Sequence, residues 1–465
     1  MSEPVNESTQ QAEAICALAT PAGRGALSII RASGKGVIEV AQAITQKKLS
    51  PRQAIYASLF DTQHQVIDQG VVICFKAPAS FTGEDVVEYH CHGNPLIADL
   101  LLQTLCDHGA RMATAGEFSQ RAFQNNKIDL TQAEAIVDLI NSTTEQGLRN
   151  ATKSLQGAFS HSVQQVLAEL IQIRTYVEAY LDFPDEEPEE KIDAQQIVLI
   201  KNKIQLLADR IVQLQQQAKR GERLHSGATV AIAGRPNAGK SSLLNCLAQS
   251  EVAIVTEVPG TTRDSLTADI DIHGIAVRLI DTAGMRATQD VVEQKGIQRA
   301  KQATAEADLV LWLSDVTDAE DCALPTEIDI DLELEKVICV VNKIDLIDAQ
   351  DLASLKTRHK NEQAQVYISA ASAVGMQELI ATIAQRLGCE EQGDTPFLAR
   401  RRHLIALQQA GEKVSAALTQ LSSSNNLELV AEELRLAQLS LGEITGEFSS
   451  DDLLGKIFSE FCIGK

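Results

Sequence analysis

No stretch of the chain approaches the ~20 consecutive apolar residues that a membrane-spanning helix needs; the strongly apolar runs are short ones such as Val337 to Val341. Basic charge is also in deficit. The 41 Lys and Arg against 63 Asp and Glu leave a net charge of −22, which excludes a surface that grips nucleic acid everywhere but leaves room for a local basic patch. No C-x-x-C pair occurs among the cysteines at positions 16, 74, 91, 106, 246, 322, 339, 389 and 462, and an odd, scattered set implies reduced thiols. Met1 to Gln11 lack the basic start and apolar core of a signal peptide, so a cytoplasmic address is expected. Tandem repeats are absent too. What is present is an ordinary globular composition, 44% hydrophobic and 22% charged, with only 27 Gly and 11 Pro. A length of 465 residues is too great for one core and suggests about three units of ~150 residues.

The texture changes along the chain. Residues 1–128 mix short strands (Ala26 to Ile30, Val71 to Phe75, Val86 to His92) with a helix opened by Pro95 and stopped at Gly109, an α+β unit. Residues 129–224 are helical. Thr131 and Glu134 form a capping-box pair, Phe159 to Leu181 has helical periodicity, and Ile197, Ile200, Ile204, Leu207, Ile211 and Leu214 make a narrow bundle seam. Residues 225–389 alternate apolar strands with helices: Thr229 to Ala233, Val277 to Ile280, Ala307 to Leu313, Val337 to Val341 and Gln365 to Ile368. This predicts a parallel, doubly wound sheet. Residues 390–465 return to helical periodicity over Leu404 to Leu421 and Leu427 to Leu441, so the α/β domain reads as an insertion into one discontinuous helical domain. The densest basic cluster, Arg400 to His403, and the densest acidic one, Asp185 to Glu190, read as solvated faces or loops.

One segment announces chemistry. Gly234 to Ser241 fits G-x-x-x-x-G-K-[ST] between a predicted strand and a helix, the setting of a phosphate-binding loop. Backbone N–H groups of Asn237, Ala238, Gly239, Lys240, Ser241 and Ser242 would face phosphate, Lys240 would reach its oxygens, and the Ser241 hydroxyl suits Mg²⁺. Asp281, Thr282, Ala283 and Gly284 follow an apolar strand and place a carboxylate near that metal. Asn342, Lys343 and Asp345 end another strand, where the Asp345 carboxylate can accept from guanine N1–H and its amino group. Ser369, Ala370 and Ala371 then offer backbone to guanine O6. Order and spacing are similar to small GTPases, so the nucleotide is GTP. Thr256, Glu257, Val258, Pro259, Gly260, Thr261 and Thr262 occupy the first switch. Met285 stands where Ras-type enzymes carry the glutamine that orients water, so another group must position water and neutralise charge.

Taken together, Gly234 to Asn245, Pro259 to Asp264, and the terminal Phe461-Cys462-Ile463-Gly464-Lys465 resemble the MnmE (TrmE) family of tRNA-modification GTPases. Thr20 to Gly25, Phe81 to Asp85, Gly116 to Ser119 and Arg121 to Phe123 resemble it as well, so the likeness spans essentially the whole chain. It implies a folate-binding and dimerising N-terminal α+β domain and a helical domain carrying an inserted Ras-like G domain. It further implies that a homodimer acts with a flavoprotein, MnmG (GidA), which holds FAD. The pair builds a carboxymethylaminomethyl or aminomethyl group on C5 of the wobble uridine of certain tRNAs, using 5-formyl- or methylene-tetrahydrofolate. GTP hydrolysis, dependent on K⁺ and on G-domain association, drives the rearrangement.

By the same resemblance, Asn237, Thr256, Val258 and Thr261 match K⁺ ligands, Ser241 and Thr262 match Mg²⁺ ligands, and Glu293 matches the residue that orients water. Lys240, Asn237 and Glu293 are thus the catalytic candidates, and a K⁺ near the phosphates would act as an arginine finger does. Arg31, Glu88, Lys127 and Lys465 match folate-binding positions; Cys462 is either a participant in uridine chemistry or a small residue beside the pocket. His90, Cys91 and His92 do not make a zinc site, because a strand puts the two histidines on one face and Cys91 on the other. Ribosome-assembly GTPases of the Era or Der type are the alternative, but they carry a KH-like domain or two G domains, and one P-loop occurs here. Much of the tRNA-binding surface is expected on the partner.

Overall fold

The computed structural model describes residues 13–182, 194–234, 237–249, 267–281, 307–317, 336–358, 365–387, 397–423, 426–448, 451–459 and 461–464. They pack as two compact units. One comprises Met1–Val137, Ser160–Leu207 and Gln409–Lys465; the other comprises Asp138–Phe159 and Ala208–Gln408. Among the described residues no helix is long and apolar enough to cross a membrane.

The first unit is built on a six-stranded sheet of order β3-β4-β5-β2-β1-β6. Its strands are β1 (Ile15–Leu18), β2 (Gly25–Ser33), β3 (Ile55–Phe60), β4 (Val66–Phe75), β5 (Val86–Gly93) and β6 (Arg111–Met112). All neighbours run antiparallel except β1 and β6. Period-2 alternation sends Val87, Tyr89 and Cys91 into a core with Ile30, Ala32, Val72 and Cys74. Helices α1 (Val37–Thr45) and α2 (Pro95–Asp107) close that core through Ala41, Ile44, Leu101 and Leu105. Helix α2 begins as expected: Asn94 Oδ1 accepts from the Leu96 N–H at 3.0 Å, and Pro95 occupies the first turn. Helix α3 (Glu117–Gln124) follows β6.

Helix α4 (Leu130–Asn141) starts two residues earlier than the Thr131–Glu134 pair implied. The capping box belongs instead to Asp129 and Gln132. Asp129 Oδ1 accepts from the Gln132 N–H at 2.9 Å, and Gln132 Oε1 accepts from the Asp129 N–H at 3.0 Å. Thr131, already inside the helix, is 2.7 Å from the Ser160 hydroxyl in the interior. Further helices are α5 (Glu145–Leu155), α6 (Ala158–Asp182) and α7 (Ala194–Ser226), in which the seam residues Ile200, Ile204, Leu207, Ile211 and Leu214 are buried.

The second unit holds a six-stranded sheet of order β12-β11-β10-β7-β9-β8. Its elements run β7 (Ala228–Gly234), α8 (Lys240–Ala248), β8 (Thr267–Ile272), β9 (Ile275–Asp281), β10 (Leu309–Asp315), β11 (Val337–Asn342), α9 (Ala349–Arg358), β12 (Gln365–Tyr367) and α10 (Met376–Arg386). The chain continues through α11 (Arg401–Ser423), α12 (Leu427–Thr445) and α13 (Asp451–Ser459). The expectation of a wholly parallel sheet fails at one edge. Strand β8 pairs antiparallel with β9 across a two-residue turn, His273 and Gly274. Its sequence, Thr-Ala-Asp-Ile-Asp-Ile, buries only alternate residues and lacks the continuous apolar run of a covered strand. The turn rests on the start of α5, where the Thr144 hydroxyl donates to the Gly274 carbonyl at 2.9 Å while capping Gly147 N–H at 3.0 Å.

The Arg400–His403 cluster is a solvated face only in part: Arg401 is exposed and Arg402 half-buried, but Arg400 and His403 turn inward. Arg400 donates to Asp138 Oδ1 at 2.7 Å, His225 Nδ1 lies 3.3 Å from the same oxygen, and His403 is buried against the Phe159 ring. Asp185 to Glu190 lie outside the described residues.

Candidate functional site

A parallel sheet gathers its loops at the carboxyl ends of its strands, and there the nucleotide motifs converge. Strand β7 ends at Gly234, and α8 begins after Gly239, whose φ of 95° lies in the left-handed region. A β-carbon at Gly239 would sit 2.3 Å from Asn342 Nδ2, so glycine is required on both grounds. Asn237, at φ 63°, makes the turn before it. The Lys240 ammonium donates to the Gly234 carbonyl at 2.8 Å, folding its side chain back over the loop. Ser241 donates to Asp281 Oδ2 at 2.9 Å, and Asp281, at the end of β9, is fully buried. Two hard oxygens so paired beside a phosphate loop are the donor set that Mg²⁺ takes.

Asn342 is buried and bonds through both ends of its amide. Nδ2 donates to the Ala238 carbonyl at 2.9 Å, and Oδ1 accepts from the Ala370 N–H at 3.0 Å. The phosphate loop and the segment after β12 are thereby tied through one side chain. Buried Ser369 donates to Asp345 Oδ1 at 2.5 Å, which orients an otherwise exposed carboxylate. Ala371 is exposed beside it, and Ser242 is exposed on the first turn of α8. One participant was missed in the sequence. Asp315, the last residue of β10, lies 2.6 Å from the Lys343 ammonium. Burial raises its carboxyl pKa, but the Lys343 hydrogen bond and the Thr317 N–H and hydroxyl outweigh this and leave it below the ordinary value. Its signal was position: it ends an apolar strand in register with Asn342.

In the other unit, β2 and β5 set Arg31 opposite Glu88. Arg31 Nε and Nη2 both donate to Glu88 Oε1, at 3.0 and 2.8 Å. The rings of Phe81 and Phe118 each lie 5.8 Å from the guanidinium. His90 Nε2 is 3.4 Å from Glu88 Oε2, is shielded from solvent and has no hydrogen-bond partner. A buried polar atom of this kind, beside a carboxylate, a guanidinium and two aromatic faces, fits a planar heterocycle that carries polar edges and a carboxylate tail. Lys127 packs against Gly83 of the Phe81–Asp85 loop and donates to the Pro78 carbonyl at 3.0 Å. The C-terminal segment is seated alongside. Ile463 bridges to Ala115, and Arg31 Nη1 donates to the Gly464 carbonyl at 3.4 Å. Gly116 permits this approach: its φ is 68°, and a β-carbon there would lie 2.4 Å from the Phe458 carbonyl. Cys462 is exposed.

Several motif residues turn out to be structural. Glu117 accepts from Arg111 at 2.9 and 2.7 Å, from Arg121 at 3.0 Å and from the Thr114 N–H at 2.9 Å. Burial pushes its carboxyl up, but these donors prevail and hold it at about 2. Arg121 also donates to Glu84 Oε2, which the Ser33 hydroxyl shares. Burial raises the Cys16 and Cys91 thiols to about 12, and no described cysteine is in a disulfide. His90 and His92 share a face opposite buried Cys91, and no metal-binding group of His, Cys, Asp and Glu occurs among the described residues. Thr256, Glu257, Val258, Pro259, Gly260, Thr261, Thr262, Thr282, Ala283, Gly284, Glu293 and Lys465 lie outside the described residues.

Residues 14–127 match the family described as GTP-binding protein TrmE N-terminus, and residues 130–462 match the MnmE helical domain. The tRNA modification GTPase MnmE of Acinetobacter baylyi is 46% identical over 456 residues, covering 97% of this chain and 96% of that protein. The MnmE of Francisella philomiragia is 43% identical over 467 residues, covering 97% and 99%. Among solved structures, Era of Aquifex aeolicus bound to GDP·AlF4⁻ is 28% identical over 40% of this chain and 66% of that chain, with a TM-score of 0.26. With two family matches in sequence order and relatives of this identity along nearly its full length, the chain belongs to the MnmE (TrmE) family of tRNA-modification GTPases.

Proposed function

We propose that this chain hydrolyses GTP at the carboxyl edge of the β7–β12 sheet and couples hydrolysis to modification of tRNA. The observation that carries the reading is the convergence of Lys240, Ser241, Asp281, Asn342, Asp345 and Ser369 on one edge, in a chain so close to named tRNA modification GTPases. Lys240 and the first-turn N–H groups of α8 hold phosphate charge, and the Asp345 carboxylate accepts from guanine N–H groups. Ser241, with Asp281 behind it and Thr262 from the first switch, would hold Mg²⁺, which when bound neutralises phosphate charge. Asn237, with Thr256, Val258 and Thr261, is the proposed K⁺ set, and Glu293 the group that orients the attacking water.

The finer assignment follows the family. Residues 225–389 form the G domain, inserted between helical segments 129–224 and 390–465; residues 1–128 bind a tetrahydrofolate derivative and dimerise. Arg31, Glu88, Lys127 and Lys465 hold the folate. A cytoplasmic homodimer works with the FAD-bearing MnmG to alkylate C5 of the wobble uridine, and the acidic chain leaves most tRNA contacts to its partner. The test is steady-state GTP hydrolysis in K⁺ against Na⁺ at equal ionic strength, with Asn237→Ala and Glu293→Ala. K⁺ activation lost in the Asn237 variant, and turnover lost in the Glu293 variant, support the reading. Equal rates in both salts would overturn the cation assignment.

A further inference from the structure

Sheet topology fixes the path a bound nucleotide must take. Phosphate lies at the end of β7, and the base lies between the ends of β11 and β12, where Asp345 and Ser369 meet. Strand β7 is three neighbours from β12, about 14 Å at the usual spacing of ~4.8 Å per step. The nucleoside must therefore cross the carboxyl end of β10, the first of the two strands between, and that end is Asp315. There Asp315 Oδ2 receives the Lys343 ammonium at 2.6 Å. Its other oxygen accepts from the Thr317 N–H at 3.1 Å and the Thr317 hydroxyl at 3.0 Å, so the carboxylate is itself fixed. Lys343 leaves β11 at φ 67°, ψ 35°, and its side chain runs from β11 to β10 with its four methylenes across the gap. The pair is only part-exposed, 34% for Lys343 and 16% for Asp315.

We propose that Asp315 is a positioning residue of the guanine subsite: by anchoring the Lys343 ammonium it holds the methylene stem as an apolar floor beneath the base. A lysine stem packs well against a flat apolar surface while its charge is satisfied elsewhere, and fixing it beforehand removes an ordering cost from nucleotide binding. The inference rests on the guanine-site reading above and adds a residue outside its motifs.

The experiment is a fluorescence titration with mant-GDP and mant-ADP, together with steady-state GTP hydrolysis, on the full-length protein and its Asp315→Asn, Lys343→Ala, doubly substituted and Asp345→Asn variants. Asp315→Asn is expected to weaken mant-GDP about tenfold and raise the GTP KM to match, with kcat changed by less than about twofold. In the Lys343→Ala background the Asp315 substitution should add nothing, because the side chain that Asp315 anchors is gone. Asp315→Asn binding within about twofold of the parent, or additive effects in the double variant, would overturn the proposal. Should Asp315→Asn fail to fold, Lys343→Ala alone must show the weakened binding, and normal affinity there would overturn the proposal equally. Asp345→Asn judges the underlying reading separately. Unchanged guanine preference in that variant would remove the guanine site itself, whatever Asp315 does.

Discussion

Asn342→Ala removes a side chain that ties the phosphate loop to the base loop. Its amide makes two hydrogen bonds in a site that is 2% exposed, donating to the Ala238 carbonyl at 2.9 Å and accepting from the Ala370 N–H at 3.0 Å. Alanine leaves both backbone groups without that partner. Each such loss costs about 1–2 kcal/mol, so the substitution should destabilise the β7–β12 sheet by about 3 kcal/mol. In a unit of this size that lowers its melting temperature by about 6–12 °C. Nucleotide affinity should fall as well, by up to about 100-fold if most of the lost energy had pre-ordered the site. Because Asn342 joins loops and does not itself read the base, the ratio of GDP to IDP affinity should stay constant. Thermal unfolding and mant-GDP titration measure the two quantities. A variant that melts with the parent but loses guanine selectivity would refute the reasoning, since it would make Asn342 a base-contacting group.

The remaining expectations come from other parts of the molecule. Glu117 has a folded pKa of about 2, below its unfolded value of about 4.5, so its contribution is full above pH ~4.5 and is lost as pH falls towards 2. That contribution is about 3 kcal/mol, and Glu117→Gln should flatten the acid limb of a urea-midpoint against pH profile; an unchanged limb would contradict the assignment. Ser241→Ala should lower kcat/KM for GTP by about 100-fold at millimolar Mg²⁺, partly restored by raising the metal, which a metal titration reads directly. Gly116→Ala drives a β-carbon to 2.4 Å from the Phe458 carbonyl and should release the C-terminal segment, seen as faster protease cleavage after α13 while mant-GDP affinity is unchanged.

What the sequence made legible was contiguous. The P-loop, Asp281, the Asn342–Asp345 run and Ser369 each sit in a short pattern whose strand-then-loop setting can be read locally, and the structure assembles the described ones at one edge. Pairings made by register were not legible. Arg31 meets Glu88, and Asp315 meets Lys343, because of which strands lie side by side, and nothing near any of these residues in the chain says so. Glu84, Glu117 and Arg121 were visible as parts of motifs, yet their shared network depends on α3 lying beside the Phe81–Asp85 loop. The capping box slipped by two residues because Asp129–Gln132 and Thr131–Glu134 share one spacing, and only the backbone decides between them. Strand β8 and the short helix α13 were missed for want of a long periodic pattern.

In the proposed function GTP hydrolysis, and not nucleotide binding alone, drives modification of tRNA. The test reconstitutes the chain with the proposed flavoprotein partner, unmodified tRNA, a methylene-tetrahydrofolate and a nitrogen donor, then measures the wobble nucleoside by mass spectrometry with GTP or a non-hydrolysable analogue. Modified uridine is expected with GTP, and none above background with the analogue. Equal product with both nucleotides would contradict it.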